Sequence, residues 1–197
     1  MITELKRTDF SQTARGADAT LTTITEGAPP SGCRHHITDI QASFDAADIQ
    51  SILLFGMKKV GPMDGTVATV VDLTGDDFTF AGHGLANGDR VIYYNGGGTS
   101  ITGLTSGTMY FVVGVSGSVF QLSLTSGGAA INISGTQSAL GTAQYVVPLC
   151  KEFIVHNQIA MFFPNPLCCA ANIPAYLQCT PGAGNQVSLN MSGYTRS

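Results

Sequence analysis

Tryptophan is absent from this chain and charge is scarce: Asp, Glu, Lys and Arg make up 11% of its 197 residues, against a usual fraction of about 25%. What charge there is sums to −4 at pH 7. That sign is opposite to the basic surface that neutralises phosphates, so no nucleic-acid partner is expected. Long apolar runs are missing too. No segment approaches the roughly 18 apolar residues of a membrane span, and the most apolar one, Ile159 to Ala171, is broken by Pro164 and Pro166. No membrane partner is expected. Glu4, Lys6, Arg7 and Asp9 interrupt the N-terminal stretch, which therefore lacks the apolar core of a secretion signal. The expectation is folding in a cytoplasm-like compartment. Cysteine is sparse and odd in number: Cys33, Cys150, Cys168, Cys169 and Cys179, with no C-x-x-C spacing. In a reducing compartment these read as buried thiols acting as small hydrophobes. The adjacent Cys168 and Cys169 face opposite sides of a strand, a poor start for a metal site.

What is present is apolar and glycine-rich. Hydrophobic residues make up 44% and Gly numbers 24, enough to bury a core and to exclude wholesale disorder. The charge is unevenly placed. Beyond Arg90 the only charged residues are Lys151, Glu152 and Arg196. Two readings fit. Surfaces covered by other subunits are depleted in charge, and Ser, Thr, Asn and Gly can equally solvate a β-surface.

The patterning is that of strands. Residues 1–16 are polar and charged and read as a loosely held N-terminal arm. Alternation marks strands at Ala17–Ile24, Cys33–Phe44 and Ile49–Met57, with Ile40, Ala42 and Phe44 on one face. Asp45 to Asp48 reads as a loop or short turn. After the Gly61-Pro62-Met63-Asp64-Gly65 punctuation the style changes. Short strands are expected at Val67–Leu73, Asp77–Phe80, Asp89–Tyr94, Thr108–Val113, Ser118–Leu124 and Ala130–Ile133, separated by Gly-rich turns. Their spacing of about 8–12 residues suits a small barrel or sandwich. The first style resumes near Tyr145, with strands at Lys151–His156, Met161–Cys168, Tyr176–Cys179 and Val187–Tyr194, and a turn at Thr180–Gly184. No helix of three turns is expected. The organisation reads as an all-β chain: a β-sandwich from residues 17–65 and 146–197, interrupted by a β-module at 66–145. An insertion at a loop tip is the arrangement a folded host best tolerates.

No catalytic, cofactor or metal residue is assigned, and the chain is not expected to be an enzyme. His35 and His36 with Asp39 suggest metal or acid–base chemistry, but adjacent strand residues face opposite ways, so one packed and one exposed imidazole is the favoured reading. Copies of one histidine gathered on a three-fold axis remain open. His83 is expected to bond and fix its turn. Gly82 to Gly88 lacks the spacing and the helix of a dinucleotide loop. Asp64, Asp72, Asp76 and Asp77 form an acidic turn without a calcium-loop pattern. No serine sits in a G-x-S-x-G context. Met161, Phe162, Phe163 and Leu167 fit core, or else an exposed docking patch. In the module, Gly84 and Gly88 bracket a tight reversal, Asp89 can bond turn amides, and Val91, Tyr93, Tyr110, Val112, Phe120 and Leu122 fall at period two.

Two stretches resemble known proteins. Cys33 to Phe44, Phe162 to Leu167 and the closing Thr180-Pro-Gly to Gly193-Tyr194 resemble small jelly-roll proteins of tailed-bacteriophage virions, among them capsid decoration (cement) proteins and head fibres. Ala81 to Val91, Thr105 to Val113 and Val119 to Leu124 are similar to a small β-barrel module of the H-G-L-x-x-G-D type found in phage structural proteins. The resemblance implies a jelly-roll-like sandwich carrying an inserted small barrel. It implies a virion protein on the capsid surface, assembled in the host cytoplasm. It further implies a homotrimer whose partners are the major capsid protein and neighbouring decoration proteins, with no cofactor. A tail, collar or head-fibre component is the alternative. A glycan-binding module, with Tyr93, Tyr94 and Tyr110 as stacking candidates, is a second.

Overall fold

Period-two alternation gives each strand one apolar face, and such faces are stable only when packed against another sheet or rolled onto themselves. A computed structural model describes residues 8–17, 21–45, 49–156, 158–181 and 185–196. The strands are β1 (Thr8–Ala17), β2 (Thr22–Glu26), β3 (Arg34–Phe44), β4 (Ile49–Phe55), β5 (Val60–Met63), β6 (Val71–Asp72) and β7 (Asp77–Thr79). There follow β8 (Arg90–Tyr94), β9 (Met109–Ser116), β10 (Val119–Ser123), β11 (Gln144–His156), β12 (Gln158–Cys168), β13 (Ala175–Cys179) and β14 (Gln186–Arg196). Among the described residues the one helical piece is a 3₁₀ turn at Gln137–Ala139. The chain forms two compact units: Met1–Lys58 with Cys150–Ser197, and Lys59–Leu149. The inserted stretch thus runs some residues beyond the 66–145 read from composition.

The discontinuous unit is an antiparallel β-sandwich. One sheet has the order β1-β14-β3-β12 and the other β2-β13-β4-β11. The first strand neighbours the last, the second the next to last, and so inward to β4 beside β11. This double winding is the jelly roll. The inner faces interdigitate in one core: Ile37, Ile40, Leu189 and Met191 from one sheet, Ile52, Leu54, Leu177 and Val155 from the other. A bulge adjusts the pattern on β3. The register with β14 shifts between Ser192 and Gly193, so that Ile37 and Ile40, three apart, both point inward and are fully buried. β13 is buried at every position from Ala175 to Cys179.

The inserted unit is a single antiparallel ladder in the order β11-β8-β9-β10-β7-β6, with β5 also on β11. Strands from both ends of this ladder, Val60 and Met63 of β5 and Val71 of β6, join one cluster with Tyr93, Tyr110 and Phe120. The sheet is therefore rolled about its own core in the manner of a small barrel. All six period-two residues of β8, β9 and β10 lie in that cluster.

Four sequence expectations are corrected. Thr8 to Ala17, read within or beside a loose arm, is strand β1, in unbroken register with β14. Val67 to Val70 is not strand. Asp64 accepts the Thr66 amide (2.9 Å) and hydroxyl (2.7 Å), and the Val70 and Val71 amides turn back to the Val67 carbonyl. An Asx-type turn thus overrides the β-propensity of Val-Ala-Thr-Val. Ala130 to Ile133 is loop. Its amides reach the Leu122 carbonyl from Ile131 (2.8 Å) and the Asp76 carboxylate from Ile133 (2.7 Å), and only the Thr102–Ser134 bridge follows. The fourth concerns Met161 to Leu167. Met161, Phe163 and Leu167 pack on the core, but Phe162 is 70% exposed. The expected loop at residues 46–48, part of the 180–184 turn and most of the 1–16 arm's first half lie outside the described residues.

Candidate association surface

The outward face of the four-stranded sheet is laid out by its register. Across the sheet, one row reads Thr13, Asn190, Gln41, Ala160 and the next Arg15, Ser188, Ser43, Gln158. On the other side lies Ser11, Ser192, Asp39, Phe162. These are the side chains left over when Ile40, Ala42, Leu189 and Met191 turn inward. The result is a nearly uncharged carpet of short hydroxyl and amide groups, with charge only at Arg15 and Asp39 in these rows. A shallow depression of about 440 Å³ lies over its centre, lined by Thr13, Gln41, Ser43, Gln158, Ser188 and Asn190. Few of these side chains are tied down. Ser192 Oγ donates to Asn190 Oδ1 (3.1 Å) and accepts from the Ser11 hydroxyl (3.2 Å). A face with so little charge avoids most of the cost of desolvating ions, while its hydroxyl and amide groups need hydrogen-bond partners across any surface that covers them.

The histidines are built into the fold. His35 is 1% exposed. Its Nδ1 pairs with Thr195 Oγ1 (2.9 Å), its Nε2 with the Gly27 carbonyl (2.6 Å), and Phe10 meets its ring edge-on at 5.3 Å. Both ring nitrogens are engaged, although His35 borders a depression of about 510 Å³ with Pro29, Pro30 and Cys33. His36 faces the other way and stacks on Tyr194 at 4.8 Å. Burial, then the nearby Arg196 and Arg34, hold its pKa below the ordinary value, so the ring is neutral at neutral pH. Asp39 instead accepts from the Thr38 hydroxyl (3.1 Å).

In the inserted unit the turn reading holds. The Leu85 amide donates to His83 Nδ1 (2.9 Å), the ring's Nε2 donates to the Gly117 carbonyl (3.2 Å), and Phe120 lies 5.2 Å away. Asp89 accepts the Ala86 amide (2.8 Å) across the same reversal. Gly88, at φ +91°, occupies backbone space that side chains disfavour. The acidic residues likewise serve the backbone: Asp72 accepts from the Thr74 amide (2.8 Å) within its own turn, and Asp76 accepts from the Ile133 amide of a distant loop. Among the described residues no three His, Cys, Asp or Glu are placed to hold a metal ion.

Tyr93 and Tyr110, named as sugar-stacking candidates, are in the core. The Tyr93 hydroxyl donates to Gln144, and the Tyr110 hydroxyl accepts the Thr105 amide. Tyr94 is half-buried and stacks on Tyr145 at 4.9 Å, with the Lys59 ammonium 4.2 Å over the Tyr145 ring. The cysteines divide: Cys169 and Cys179 are buried as expected, Cys33 is half-buried, and Cys150 and Cys168 are exposed. Burial pushes the Cys169 thiol up to about 12 and that of Cys179 up to about 11. Among the described residues no helix is long and apolar enough to cross a membrane. The sheet face itself was missed by sequence reading. The signal for it lay in Gln41, Ser43, Ser188 and Asn190, which alternate with the apolar positions of strands already identified. No protein family, curated protein or solved structure matches the chain.

Proposed function

We propose that this chain is a structural protein of a bacteriophage virion, acting as a capsid decoration or cement protein. In this reading it is a homotrimer that binds the major capsid protein on the head exterior, alongside other decoration proteins. It works by covering surface and not by chemistry. The observation that carries the reading is the exposed, nearly uncharged outer face of the β1-β14-β3-β12 sheet. It belongs to a chain whose C-terminal half holds almost no charge. The jelly-roll winding and the phage-like H-G-L-x-x-G-D turn, with His83 and Asp89 in the roles its spacing implies, add support. Three sandwiches around an axis would dock between capsomers. Repetition over a symmetric shell gives avidity from weak single contacts, which braces the shell against packaged DNA.

The test is co-sedimentation of the purified full chain with expanded capsids, paired with solution mass by light scattering. Binding to capsids, with a solution mass that is a multiple of three chains, is the expected result. Gln41→Lys, a charge placed in the centre of the face, is expected to abolish association while leaving the far-ultraviolet spectrum unchanged. A chain that ignores capsids and binds tails overturns the reading.

A further inference from the structure

The two edges of the four-stranded sheet are built differently. β12 carries Pro164 and Pro166 and loses register with β3 between Phe162 and Leu167. Proline and irregularity are devices that block a sheet edge from pairing with another chain. β1 has neither. It keeps unbroken register with β14 from Thr8 to Ala17, contains no proline, and among the described residues is laddered on one side only. Its charges are Asp9 and Arg15, with none between them.

That spacing is self-complementary. Two copies of β1 laid antiparallel about a two-fold axis at Gln12 place Asp9 of each opposite Arg15 of the other. The same register sets Phe10 against Ala14, a large side chain against a small one, and Ser11 against Thr13. Faces agree as well: Asp9, Ser11, Thr13 and Arg15 are all exposed on the outward side, while Phe10 and Ala14 lean on the core. Opposite charges and hydroxyl pairs directly across an antiparallel ladder are favourable. Moving the axis one position loses both charge pairs: at Ser11, Asp9 meets Thr13, and at Thr13 it meets Ala17. Gln12, on the axis, turns its amide to Glu26 (2.9 Å).

We infer that β1 is a self-association edge, through which two copies of this chain pair about a two-fold axis and join their four-stranded sheets into one. The contact is independent of the virion reading.

The test is charge reversal on the full chain, read by light scattering and sedimentation over a concentration series. The wild type is expected to contain an even number of chains. Arg15→Asp and Asp9→Arg each set like charges opposite in both symmetric pairs, and each is expected to weaken the two-fold contact roughly tenfold to hundredfold. The double variant D9R/R15D regenerates both pairs with signs exchanged and is expected to recover wild-type association. It also shows that loss in the single variants is not misfolding. Single variants that associate like the wild type, or a double variant as weak as the singles, overturn the inference. A trimer alone overturns the two-fold seam and leaves the virion reading standing. A dimer alone does the reverse, and a hexamer supports both.

Discussion

His83 offers the sharpest test of how the inserted unit is held. Its ring is 3% exposed, its Nδ1 takes the Leu85 amide at 2.9 Å, and Phe120 packs 5.2 Å away. Because a backbone amide donates to Nδ1, that nitrogen carries no proton, and Nε2–H is the donor to Gly117. His83→Ala strands a buried amide, at about 1–3 kcal/mol. It also removes the ring contact, worth about 0.5–1.5 kcal/mol. The total, about 1.5–4.5 kcal/mol, is a large part of the roughly 5–15 kcal/mol by which a domain is stable. His83→Phe separates the ring contact from the hydrogen bonds, since it keeps a ring against Phe120 and removes both the Nδ1 acceptor of the Leu85 amide and the Nε2–H donor to Gly117. The expected loss is then about 1–3 kcal/mol. Urea unfolding followed by tyrosine emission suits the question. The chain has no Trp, and Tyr93, Tyr94, Tyr110 and Tyr145, of six tyrosines, lie in this unit. His83→Ala should lower the midpoint by roughly 1 M at an unchanged slope. A His83→Phe variant as stable as the wild type would refute the claim that the hydrogen bond fixes the turn.

The thiols should sort by burial: at about pH 8 a maleimide is expected to label Cys150 and Cys168 in the native protein, and Cys169 and Cys179 only after unfolding. Native labelling of Cys169 at the rate of Cys168 would contradict the core placement. The same two thiols make the sandwich alkali-sensitive. Their folded pKa values, about 12 and about 11, exceed the free value of about 8.5. Their stabilising effect is therefore intact below about pH 8.5 and lost as pH rises toward 11–12, with a slope of up to about 1.4 kcal/mol per unit for each thiol. Cys169→Ala should flatten that decline, and a decline of undiminished slope would refute the assignment. Gly193→Ala should lower stability by about 1–3 kcal/mol, because its Cβ would meet the His36 carbonyl and lie 2.7 Å from the Phe10 ring. An unchanged melting temperature would count against the β1-β14-β3 packing.

The legible parts of the fold are those where local pattern and final environment agree. Val91 with Tyr93, Tyr110 with Val112, and Phe120 with Leu122 each alternate, and each pair is buried in one cluster. The fixed spacing from His83 to Asp89 was readable because both side chains bond amides two or three residues away. β1 was not readable. Its sequence is polar because only one face is covered, and its ladder partner lies at the opposite end of the chain. Val67 to Val70 failed for the converse reason, a local Asp64 turn defeating strand-forming residues. The inward placement of both Ile37 and Ile40 depends on a bulge that no two-residue period reveals. Phe162 misled because exposure was weighed for the whole apolar run, whereas alternation along β12 turns alternate residues outward.

The pairing of β1 with β14 also bears on how the protein is made. During synthesis the sandwich cannot close its outermost ladder until β14 has left the ribosome, since β1 waits for it. The stretch from Lys59 to Leu149 faces no such delay, because its ladder partners all emerge well before β14. At translation rates of about 5–20 residues per second, the interior module has seconds to finish while the nascent β1 edge is still bare. The polar side chains that made it look like no strand at all disfavour aggregation in that interval.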